Sequence, residues 1–132
     1  MNLIPGIQST GSALDAYRQQ LEIVAQNIAN AQTTRTESGG PYQRQQISFE
    51  SYLHDTGTGI RISEIAPDTR PGPMVRQPDH PHANAEGMVQ MTNVNVALEM
   101  VDMITASRAY EANLSVAKTS RDLAQKALEI GR

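Results

Sequence analysis

Apolar residues recur at helical spacing at both ends of the chain. Ile7, Leu14, Leu21 and Ile28 repeat every seven residues, and Thr10, Tyr17, Val24 and Ala31 form a companion set offset by three. Together they make a heptad seam with one polar member, Thr10. At the other end Val96, Met100, Met103, Ser107, Tyr110, Leu114, Ala117, Arg121, Ala124 and Leu128 follow in alternating steps of four and three. Ser107 and Arg121 interrupt that seam. A second apolar row runs beside it, with Val101 and Ile104 near one end and Leu123, Ala127 and Ile130 near the other. A helix apolar on more than one stripe has two surfaces to cover. The pattern leaves open whether the extra row packs on the chain's own middle segment or on another chain.

The helix breakers agree with this pattern. Six of the seven prolines lie between Pro41 and Pro81, leaving 7–31 and 94–130 free to be helical. Thr92, Asn93 and Asn95 are candidate N-caps for the second helix, and Gly131 stands where a C-terminal glycine belongs. About 36 helical residues make a rod about 54 Å long, whereas a compact chain of this size has a radius of gyration of about 14 Å. The shorter first helix cannot cover the second completely, and the uncovered part is an association surface.

The middle changes period. Residues 45–53 and 59–65 alternate as strands do, 88–91 is a third candidate strand, and Pro67 to His82 reads as an extended Pro-rich stretch. The predicted fold is mainly α. N- and C-terminal helices form an antiparallel hairpin or coiled coil, with a small β-rich, Pro-containing insertion between them. In domain terms, 1–33 and 94–132 form a helical axial domain and 34–93 the insertion. The antiparallel pairing puts Tyr17 near Ala117 or Lys118 and Tyr110 near Val24 or Ala25.

Composition removes several functions. The 132 residues fit one domain. A net charge of −3 argues against a non-specific nucleic-acid binder. With no cysteine, disulfide scaffolds, Cys-ligated zinc and thiol catalysis are excluded. No apolar run approaches a membrane span, and two lysines in total are too few for a basic membrane-surface helix. The opening residues have neither a basic region nor a long apolar one, so no cleaved signal peptide is expected.

The familiar phosphate-binding, nucleophile-elbow and zinc-protease motifs are missing. His80 and His82 with Asp79 are the one cluster with metal-ligand chemistry, and their Pro-rich setting reads as a solvated turn. Glu99 and Asp102 share a helix face and read as rim carboxylates, because a coiled-coil rim offers no catalytic pocket. No catalytic residue, metal, cofactor, nucleic acid or small-molecule substrate is expected.

Several passages together carry a resemblance. Ala25-Gln26-Asn27-Ile28-Ala29-Asn30-Ala31, followed by Thr33 and Thr34, resembles a flagellar rod signature, with Gln26 in place of its first Asn. More specific are Asn93-Val94-Asn95-Val96, Glu99 to Ile104, Ala106 to Asn113, and the ending Leu128-x-Ile130-Gly131. Pro78-Asp79-His80-Pro81-x-Ala83-Asn84 and Glu86-Gly87-x-Val89-x-Met91-x-Asn93-Val94 complete the set. The chain resembles the axial proteins of the bacterial flagellum and, among them, the proximal-rod family FlgC.

The resemblance implies a structural subunit of the periplasmic basal-body rod, a helical shaft that transmits torque. It implies export through the flagellar type III apparatus without a cleaved signal. The partners it implies are other copies, other rod proteins, and MS-ring and export-gate components. The expected assembly interface comprises Leu14, Leu21, Asn27, Ile28 and Asn30 of the first helix and Met100, Met103, Ser107, Arg108, Tyr110, Asn113, Leu114 and Leu128 of the second. Asn27 and Asn30 have amides that bond frayed carbonyls or a neighbouring chain. Arg108 and Glu111 either pair with each other or fix register against a neighbour. The alternative function is a small coiled-coil adaptor or chaperone of a type III secretion system, which would not need the β-rich insertion.

Overall fold

The computed structural model describes residues 4–54 and 57–131. Helix α1 spans Ile4–Ala29, strands β1 Gln45–His54, β2 Gly57–Pro67, β3 Met74–Arg76 and β4 Met88–Gln90, and helix α2 Val96–Ile130. The two long helices pack together, with small antiparallel β hairpins between them in sequence. The predicted strands 45–53, 59–65 and 88–91 are all present. The Pro-rich stretch, expected to be extended throughout, contains β3, which fits between Pro73 and Pro78. The chain divides into two compact units, each taking part of both helices and part of the middle.

One unit comprises Met1–Leu21, Ile47–Glu64 and Ile104–Arg132. Its buried residues on α1 are Thr10, Ala13 and Ala16. The Tyr17 ring meets Phe49 of β1 at 6.1 Å between centroids, and the Ser12 hydroxyl accepts the Ile60 N–H of β2 at 3.1 Å. Across the β1–β2 hairpin, the Ser63 hydroxyl donates to the Ser48 carbonyl. Arg61 pairs with Glu50 and lies over the Tyr52 ring.

The stripe that α1 buries coincides with the expected seam only at Thr10 and Val24. Ile7 is exposed, Leu14, Leu21 and Ile28 are half-buried, and the buried line runs Thr10, Ala13, Ala16, Val24, Asn27. Small side chains let the helix approach its neighbours closely, and a heptad reading weighted toward large residues passes over them. On α2 the same holds: Ala106 is buried, while Val96, Met100, Arg121 and Leu128 of the expected seam are exposed.

The second unit comprises Glu22–Gln46 and Ile65–Met103. Here β3 and β4 pair antiparallel with Val75 opposite Val89, and Val89 is among the most buried side chains described. Gly72 precedes this pair where a Cβ would lie under 3.0 Å from the carbonyl oxygens of Met91 and Thr92, so only glycine fits. At the start of α2, Asn95 is the N-cap: its side-chain oxygen accepts the Leu98 N–H at 3.2 Å. The helix therefore begins two residues later than predicted. Thr92 and Asn93, the other two cap candidates, serve elsewhere. Gly131 does not cap in the left-handed form. Its N–H continues the helical pattern to Ala127, and among the described residues positive φ occurs at Gly39, Gly57 and Gly87.

The helix ends run antiparallel in this unit, since Thr92 bonds the Ala31 carbonyl and Glu99 meets Asn27. The register is displaced from the expected one, which would set Asn27 opposite residues near Ser107. A polar contact fixes the alignment here, and hydrophobic periodicity does not register it.

Candidate functional site

The second unit is organised around a buried polar cluster. Asn27, in the last turns of α1, and Glu99, in the first turns of α2, are both fully buried. The Asn27 amide donates to Glu99 and to the Gln45 carbonyl, each at 3.0 Å. Its oxygen accepts the Gln45 N–H and the Tyr42 hydroxyl, each at 2.9 Å. Arg44 pairs with Glu99 and reaches Asp102 at 3.3 Å. A buried carboxylate needs such a cation and donors, because desolvation penalises its charge. Burial, and secondarily the charge of Glu99, push the Tyr42 hydroxyl above its ordinary pKa.

A second layer ties the loops to this cluster. Asn93 accepts the Arg44 N–H at 2.7 Å and donates to the carbonyls of Asp68 and Arg70, both at 2.8 Å. The Arg70 guanidinium, by hydrogen bonds first and charge second, holds the Asp68 carboxyl far below the usual carboxylate range; Gln46 adds a further bond. Thr34 bonds the His82 ring at 2.8 Å, and His80 accepts the His82 N–H at 3.0 Å. Both imidazoles are half-buried, so this loop is not the fully solvated turn expected. Among the described residues no cluster has metal-ligand geometry, and no buried side-chain polar atom lacks a partner.

Glu99 is therefore no rim carboxylate. The segment Tyr42 to Gln45 folds over it, and sequence reasoning missed Tyr42, Arg44, Thr92 and Asn93 as its setting. Nothing in the periodicity marks those residues. The detectable signal was Glu99 itself, whose helix position coincides with the buried stripe once Ala106 is placed on it.

The expected interface residues divide by exposure. Asn27 is enclosed, and the bonds described fill its amide inside its own chain. Asn30 donates to the Gln26 carbonyl and accepts from Thr33, and Asn113 donates to the Ala109 carbonyl. Leu14, Leu21, Ile28, Met103, Ser107, Tyr110 and Leu114 are half-buried, and Met100, Arg108 and Leu128 are exposed. The second apolar row stands open to solvent: Val101, Ile104, Leu123 and Ile130 are each more than half exposed, as is Val116. This arrangement combines a specified polar interior with an uncovered helix face.

Known proteins match this sequence along their full length. Residues 7–35 match the family model described as flagella basal body rod protein. Residues 85–130 match that of the flagellar basal body rod FlgEFG protein C-terminal. The flagellar basal-body rod protein FlgC of Yersinia enterocolitica is 40% identical over 135 residues, covering all of both chains. FlgC of Borreliella burgdorferi is 36% identical with 98% of each chain covered, and that of Bacillus subtilis is 35% identical over the whole of both. The chain belongs to the FlgC family of flagellar basal-body rod proteins. Its function is that of a structural rod subunit, not an enzyme, and it assembles with other rod subunits. The adaptor or chaperone alternative is set aside. Asn27, within the matched residues 7–35, bonds Glu99 of α2 and Gln45 of β1 in its own chain.

Proposed function

We propose that this subunit enters the rod through the outer face of α2, while the Asn27–Glu99 cluster holds the two helix ends in fixed register. The supporting observation is the exposed apolar row on α2. Val101, Ile104, Val116, Leu123 and Ile130 present apolar surface to water along one helix, which a monomer gains nothing from. In this reading Met100, Arg108 and Leu128 make direct contacts. Half-buried Leu14, Leu21, Ile28, Met103, Ser107, Tyr110 and Leu114 support the face from within, and residues 34–93 form the insertion on the axial helices. The assembled shaft transmits torque. The subunit reaches it through the flagellar type III apparatus. Its neighbours are other copies, other rod proteins, and MS-ring and export-gate components.

The test is Leu123→Glu. The side chain is exposed, so circular dichroism of the purified variant stays that of the parent. The variant is expected to be exported, yet basal bodies seen by electron microscopy lack rods and the cells do not swim. Normal swimming with normal rods sinks the assignment.

A further inference from the structure

Two unlike apolar patches are exposed in the same compact unit. On α2 the patch is Ile104, Val116 and Leu123, each more than half exposed. On the β1–β2 hairpin it is Phe49, Leu53 and Ile60, with Leu53 86% exposed. The hairpin's own packing, through Tyr17 against Phe49 and Ser12 against the Ile60 N–H, leaves Leu53 uncovered. Their charges are opposite. Residues 104–126 carry four cations, Arg108, Lys118, Arg121 and Lys126, against two carboxylates, Glu111 and Asp122. The described residues of the hairpin, 47–54 and 57–65, carry two carboxylates, Glu50 and Glu64, against one cation, Arg61.

We propose that the C-terminal half of α2 docks on the β1–β2 hairpin of a second copy of this chain. This rests on the reading of the outer α2 face as the assembly surface, and adds what covers it. A like-with-like contact between two α2 faces would bring net positive against net positive and would close as a dimer. A contact between unlike patches is heterologous and leaves a hairpin free on one copy and an α2 patch free on the other, which propagates a helical array. Apolar burial supplies affinity and the opposite charges select the partner and its orientation.

The chain has no cysteine, so introduced thiols report only their own contacts. Cells would co-express two differently tagged copies, one carrying Leu53→Cys and the other Ile104→Cys, Val116→Cys or Leu123→Cys in turn. Isolated basal bodies containing both tags would then be oxidised. The expected product, for at least one of the three pairings, is a disulfide-linked dimer carrying both tags that reverts on reduction. Its absence in all three pairings overturns the proposal. A covalent product joining α2 to α2, or α2 to a rod protein of different mass, overturns the hairpin docking but leaves the outer face as an assembly surface. If thiols at Ile104, Val116 and Leu123 form no product with any protein, even with a short bismaleimide, both readings fall.

Discussion

The Asn27 amide lies 3.0 Å from the Glu99 carboxylate, linking side chains 72 positions apart and fastening the end of α1 to the start of α2. Because both groups are buried, the contact depends on charge. In Asn27→Asp the oxygens still accept the Gln45 N–H and Tyr42 hydroxyl, but the donor to Glu99 is replaced by a second carboxylate. Two carboxylates at that separation share one proton, and the pair's pKa rises in the folded state. The folded variant then holds a proton that the unfolded chain has lost above its ordinary pKa of about 4. Stability is therefore highest at acid pH and falls as pH rises through the raised value. Denaturant midpoints of the variant at pH 5 and pH 8 check this. A variant as stable at pH 8 as at pH 5 contradicts it. Replacing Asn27 by Ala, which orphans several buried groups at once, is expected to cost at least about 2 kcal/mol at any pH.

Tyr42 titrates in the opposite chemical regime with the same sign. Its hydroxyl is raised by burial and by Glu99, so above about pH 10, where the unfolded phenol ionises, the folded state keeps a proton the unfolded state loses. The stabilisation it provides is complete below that pH and disappears as pH climbs through the raised value. Tyr42→Phe removes the hydroxyl's bond to Asn27 at a cost of about 1 kcal/mol near neutrality. It should also make the alkaline loss of stability shallower. Phenolate absorbance during alkaline titration would show the late ionisation of Tyr42 in the parent and its loss in the variant.

The helices and three of the strands were legible because their periods, 3.6 and 2, are written by Leu, Ile, Val and Met. The stripe actually buried was legible only at Thr10 and Val24, because Ala13, Ala16 and Ala106 contribute little apolar area and act by allowing close approach. The polar cluster was legible only in part. Asn27 stood out in the signature, yet its partner Tyr42 and the Glu99 partner Arg44 lie in a loop with no periodicity, and Glu99 resembled any surface carboxylate on a helix. A buried ion pair is specified by what covers it, and that covering comes from residues distant in sequence. The exposed second row on α2 was visible as a pattern, but its uncovered state needed the fold.

Two glycines should respond to alanine in opposite directions. At Gly72 the new Cβ would collide with the carbonyl oxygens of Met91 and Thr92. Those backbone atoms are held by the Met91 N–H to Pro73 bond and by Thr92 on Ala31, so they cannot step aside. Gly72→Ala is expected to cost about 3 kcal/mol or to abolish folding of the β3–β4 region. Gly11, exposed within α1, leaves open space where an alanine methyl would stand, with nothing within 4 Å. Gly11→Ala should stabilise the isolated chain by about 1 kcal/mol. Thermal melts of the two variants beside the parent decide both.

The isolated subunit should be weakly stable and respond to concentration. Among the described residues the buried apolar ones are Ala13, Ala16, Val24, Val89 and Ala106, none larger than valine. A fully buried Leu or Phe contributes about 1.5–3 kcal/mol, and the large apolar side chains here lie mostly on exposed faces. Much of the stabilisation available to this sequence is therefore collected only when other subunits cover those faces, and association then shifts stability by mass action. The far-UV circular dichroism melt of the purified chain is expected to be broad at micromolar concentration and to move upward as concentration rises. Leu123→Glu, which removes one of the exposed contacts without touching the interior, should leave the dilute melt unchanged and abolish that upward movement. A sharp melt at the same temperature across a hundredfold range of parent concentration would show that the subunit's stability is complete without its neighbours.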